Sequence, residues 1–221
     1  MLSFIFIIIT LLSLILFYYG TGRDKRVLLV NVVWIIVVGI LSFSGYFENT
    51  SAKPPRFLLV LSGAILLSVF LFKRLKNNRP DVKPLLALHS LRMLIELVLY
   101  QLFLQHKIPV LMTFKGWNFD ILMGISAIFI LLYLLLTKKK ISRSFFLIWN
   151  ISGLVLLTII VFIAILSSPL PLQQLAFDQP NIALLQFPFS FLPACIVPFV
   201  FLTHIFMLRT AWINDASKNN F

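Results

Sequence analysis

Cysteine, acidic residues and long polar stretches are scarce in this 221-residue chain. There is one cysteine, Cys195, so no intramolecular disulfide can form. It lies in an apolar run, where a thiol is expected to behave as a small buried hydrophobe. A structural zinc site normally takes four nitrogen or sulfur ligands. One Cys and three His would all have to converge, so no metal site is expected. Asp and Glu number only seven against 19 Lys and Arg, a net charge of +12. That balance raises nucleic-acid binding. However, the basic residues sit in short loops beside apolar runs, where topology signals sit and where anionic lipid headgroups are the expected partners. Nucleic acid is therefore excluded as an expectation. No low-complexity tract and no internal repeat is visible. No basic residue precedes Arg23, so the first apolar run lacks the positive start of a secretory signal and is read as a retained span.

What the chain does have is apolar length. Apolar residues make up 60% of the chain, Phe alone numbers 23, and charged residues are 12%. Crossing ~30 Å of hydrocarbon takes ~20 residues of helix. Seven runs reach that length: about 2–20, 27–46, 56–73, 84–105, 119–137, 145–167 and 189–209. In lipid the backbone must satisfy its own hydrogen bonds, and the alternating period of a barrel strand is absent, so the runs are read as helices. The fold class expected is all-α integral membrane: a seven-transmembrane-helix bundle forming a single transmembrane domain over 1–221.

Orientation follows from the basic residues. The first, third and fifth connections and the C-terminal tail carry 14 Lys and Arg, and the remaining connections carry 4. The positive-inside bias places the N-terminus outside and the C-terminus in the cytoplasm. Lys138-Lys139-Lys140 and the stretch from Lys73 to Lys83 are the strongest anchors. Tyr18, Tyr19, Tyr46, Trp149 and Trp212 fall near run ends, as interfacial aromatics do. The expected location is a cell membrane, multi-pass, of the bacterial cytoplasmic type.

Two outward connections, 106–118 and 168–188, are too apolar to be freely solvated and are expected to pack on the bundle or lie in the interface. Asn118 and Asp120 at the start of the fifth run read as a helix cap and an acid placed well for the helix dipole.

The fourth run carries ionisable residues on one face. His89, Arg92, Glu96 and Tyr100 lie within about 80° of one another at ~100° per residue. A charge at the bilayer centre costs ~2.5–3.5 kcal/mol on insertion scales, so such groups face protein or a wet cavity. Arg92 and Glu96, spaced i and i+4, can pair with each other. His204, Asn150 and Asn31 fall at a depth similar to His89 on the seventh, sixth and second spans. They suggest a polar pocket between spans 4, 6 and 7. Pro193 and Pro198 each remove a helical hydrogen bond from the seventh span and suggest a kink or gate there. The bland alternative is that these polar groups join helices together. Small residues, among them Gly124 and Gly153, mark close helix packing.

Known seven-span patterns fit poorly. The last span has no Lys for a retinal Schiff base. Gly124-Ile125-Ser126-Ala127 lacks the last Gly of the rhomboid-protease Gly-x-Ser-Gly. The reading that remains is a polytopic membrane protein that binds or transports a small molecule or ion. Three alternatives stay open: a sensory, scaffold or assembly subunit with a protein partner, a lipid-modifying membrane enzyme, and a haem b protein with His89 and His204 as axial ligands. No catalytic residue is assigned, and the cofactor is unknown.

Overall fold

The computed structural model describes residues 1–139 and 141–216, with side chains as far as Thr210. The expected anchor Lys140 and the Trp212 side chain lie outside the described residues. Seven helices in the described residues are long and apolar enough to cross a membrane, and no strand occurs among those residues. They are α1 (Leu2–Gly20), α2 (Lys25–Phe43), α3 (Leu58–Leu75), α4 (Val82–Leu104), α5 (Asp120–Thr137), α6 (Arg143–Leu166) and α7 (Val197–Ala216), the last preceded by a π turn at Leu192–Ile196.

The helix starts follow local chemistry. Asp24 caps α2 by accepting from the Arg26 and Val27 amides, Asp81 caps α4 through Lys83, and the Ser142 hydroxyl accepts from Phe145 at α6. A side-chain acceptor here satisfies an amide that has no partner within the helix. Lys138, in a left-handed conformation, ends α5.

One end of the bundle is joined by polar contacts between the 21–24 and 73–81 segments. Arg74 pairs with Asp24 at 2.7 Å, Asn78 donates to the Thr21 carbonyl, and the Asp81 amide donates to the Gly20 carbonyl. Burial pushes Asp24 up, but the amides of Arg26 and Val27 and the Arg74 guanidinium outweigh it and hold the carboxyl below its usual 3.8. At the opposite end the long connections interlock. Gln179 donates to the Phe103 and Ile108 carbonyls, and the amides of Ile182 and Ala183 both donate to the Lys107 carbonyl. Ile108, Met112, Asn181 and Leu185 are buried, so both connections pack on the bundle.

α4 and α7 are the most buried helices. α4 packs on α1, α5 and α7, and α7 packs on α6 and α3. The core runs along these contacts, with Phe17 stacked on Phe199 at 4.6 Å and Phe6 edge-on to Phe189. Exposed apolar residues such as Leu29, Ile40, Leu66, Leu136 and Phe162 cover the outer surface of the bundle. Water is a poor solvent for that surface and hydrocarbon a good one.

Candidate functional site

α4 supplies the centre of the site because its polar residues recur at i, i+3 and i+7. His89, Arg92 and Glu96 therefore share one face, and all three are at most 3% exposed. Arg92 is the hub. Its Nη1 lies 3.1 Å from His204 Nε2 on α7, and its Nη2 lies 2.5 Å from Asp120 Oδ1 at the start of α5. Guanidinium can only donate, so His204 Nε2 accepts and the proton of this tautomer sits on Nδ1. That nitrogen is 2.9 Å from Asn150 Oδ1 on α6. Asn150 in turn donates its amide to the Phe146 carbonyl, which leaves its oxygen for the imidazole.

The second arm runs through the 106–118 connection. Asn118 donates to Glu96 Oε1 at 2.7 Å and to the Met112 carbonyl, while its own oxygen accepts from the Asp120 amide. Glu96 lies roughly 12 Å of helix short of Leu104, at ~1.5 Å per residue. The connection therefore dips into the bundle, and α5 starts beside the middle of α4. A continuous polar chain results: Asn150, His204, Arg92, Asp120, Asn118, Glu96.

Two glycines let the helices come this close. A Cβ on Gly153 would overlap the His204 imidazole, and one on Gly124 would meet the Met93 backbone. His89 lies on the flank of the chain, its ring 4.1 Å from that of His204 and edge-on to Trp149 at 5.3 Å. Neither His89 nitrogen has a hydrogen-bond partner among the described residues. The same holds for Glu96 Oε2 and Arg92 Nε.

A cavity of about 560 Å³ opens from this network. Arg92, Glu96, Asn118 and Asp120 form its polar wall. The rest comes from α3, α6, the π turn and α7, including Leu61, Ile65, Ala164, Pro193, Pro198 and Phe201. Both expected kink residues thus lie in its wall. Pro198 has no amide to donate to the Ala194 carbonyl one turn earlier. Trp34 Nε1 on α2 donates to that oxygen instead, at 3.0 Å.

The structure brings together His89, Arg92, Glu96, Asn150 and His204. It leaves out two residues expected with them. Asn31 donates to the Val27 carbonyl of its own helix, and Tyr100 packs on Phe103 and Phe114. Three further differences have physical causes. Arg92 pairs with Asp120 and not with Glu96, because the dipping connection delivers an acid to the middle of α4. Asp120 is therefore an ion-pair partner where the sequence pointed to a dipole role. Trp149 is buried against the two imidazoles with its Nε1 donating to Ser126, not placed at an interface.

Haem ligation needs two imidazole nitrogens facing one iron from opposite sides. Here the rings touch and His204 is bonded at both nitrogens, so this pair does not fit a haem.

A family model described as a domain of unknown function, DUF8737, matches residues 56–211. The chain belongs to that family. The matched segment runs from the residues before α3 into α7 and contains every member of the polar chain and every wall of the cavity. No curated protein and no solved structure matches the chain.

Proposed function

We propose that this DUF8737 member is a multi-pass protein of a cell membrane, N-terminus outside and C-terminus cytoplasmic, that binds or transports a small molecule or ion at the buried network. The observation that carries this reading is the cavity. Its volume falls within the ~300–1,000 Å³ of ordinary small-molecule sites, and it ends on a cluster of ionisable groups. An intramembrane ionisable residue marks a substrate or ion path by default. A role confined to joining helices would favour a packed interior, whereas Glu96 and Arg92, each with a polar atom that has no partner among the described residues, line open space. The site differs from the sequence expectation in that α3 joins α4, α6 and α7 around it.

Native mass spectrometry of protein purified from its own membranes tests the reading. Wild type should retain a non-covalent ligand that Ala164→Trp and Leu61→Trp, which fill the cavity, both lose. An identical bound population in all three proteins would refute it.

A further inference from the structure

We infer that the cavity takes a lipid-like amphiphile with a cationic, ammonium-type head, which enters sideways between α3 and α6 and places its head at Glu96. This inference rests on the binding reading above and adds the class of ligand.

The charge at the polar wall is the first argument. Two carboxyls, Glu96 and Asp120, face one guanidinium, Arg92. Asp120 and the His204 imidazole occupy both Arg92 terminal nitrogens. Glu96 receives only the neutral amide of Asn118, and its Oε2 has no partner among the described residues. The Glu96 side chain is 3% exposed and lines the cavity; an acceptor so buried calls for a donor, and a positively charged donor gives the stronger bond.

The second argument is the rest of the lining. Three hydroxyls occur there, and each already donates to a carbonyl four residues back: Ser68 to Ala64, Thr158 to Leu154, Ser168 to Ala164. A hydrated inorganic cation would have no polar path to Glu96, whereas an alkyl chain would meet apolar side chains throughout. The third argument is the mouth. Ile65 and Val69 on α3, Thr158 on α6 and Phe201 on α7 are exposed cavity residues, so the cavity opens on the bundle's apolar flank and not at its basic end. An amphiphile dissolved in the bilayer reaches that flank without crossing water.

Photolabelling in phosphatidylcholine nanodiscs tests this, using a diazirine-bearing dodecylamine and the matching dodecanol probe. Labelling of α3 and α6 peptides by the amine should saturate. Unlabelled dodecylamine should compete at least tenfold better than dodecanol or dodecyl sulfate. Glu96→Gln should abolish that preference, and Ile65→Trp, at the rim and away from the network, should lower labelling by both probes at least fivefold. If Glu96→Gln does not fold, wild-type competition decides. Equal competition by amine, alcohol and sulfate, with Ile65→Trp still blocking, would overturn the ammonium head and leave the binding site standing. Labelling that neither saturates nor responds to Ile65→Trp would overturn both.

Discussion

At the residue scale, Arg92 and Gly153 set the geometry. Arg92 is buried with two partners on two other helices, so removing one partner leaves a charge without compensation. Breaking a buried pair costs ~3–5 kcal/mol, whereas replacing both partners with apolar groups of similar volume is often neutral. Asp120→Asn should therefore lower stability to chemical or thermal unfolding by that order, and Arg92→Met with Asp120→Leu should recover most of it. Additive losses in the double variant would argue against the pair. Gly153 makes the opposite kind of case. A glycine-to-alanine change inside a helix ordinarily gains about 1 kcal/mol of propensity. Here the new methyl would overlap the His204 ring, and overpacking costs ~1–3 kcal/mol. Gly153→Ala should lower the melting temperature, while Ser152→Ala, on the exposed side of the same helix, should leave it unchanged. The polar residues of α4 were legible in the sequence because charge within an apolar run has no solvation there. The partner of Arg92 was not, since nothing in the local pattern shows that residues 106–118 dip to the depth of Glu96.

At the element scale, the break in α7 is held from outside the helix. Proline at 198 frees the Ala194 carbonyl, and the Trp34 indole takes it up. Trp34→Phe removes that donor and should cost about 1–2 kcal/mol in unfolding stability, the size expected for a buried acceptor left without a partner. In a Pro198→Ala background, where residue 198 regains an amide, the cost of Trp34→Phe should shrink to its packing component. An undiminished cost would show that the indole acts by packing alone. The positions of the first six helices were readable to within about three residues from apolar length, whereas α7, expected over 189–209, runs over Val197–Ala216 behind a π turn. The π turn at Leu192–Ile196 was not readable. Pro193 within it and Pro198 just after it signalled a disturbed helix, but whether that becomes a kink or an inserted residue depends on neighbours such as Trp34, far away in sequence.

On the scale of the whole molecule, the asymmetry of charge carries orientation. The segments around Asp24 and Asp81, rich in Lys and Arg, meet at one end, and the connections at 44–57, 106–118 and 168–188 meet at the other, the first through Gln186 donating to Glu48. With the basic end in the cytoplasm, an Asn49→Cys variant in intact cells should react with a membrane-impermeant maleimide and Asn77→Cys should not. Cys195 is fully buried and adds little background. The reverse pattern would invert the proposed topology. Depth in the bundle follows from sequence for His89, His204 and Asn150, which do converge. Asn31 shares their expected depth but lies on a helix that approaches the π turn rather than the network, because depth alone does not give direction around the bundle axis.

The central claim is that the open space beside Arg92 and Glu96 is a binding site and not a packing defect. A density map of the protein in lipid nanodiscs decides it most directly. The account predicts elongated density between α3 and α6, with its polar end within hydrogen-bond reach of Glu96. A map in which α3 closes onto α6 and apolar side chains seal the network would contradict it.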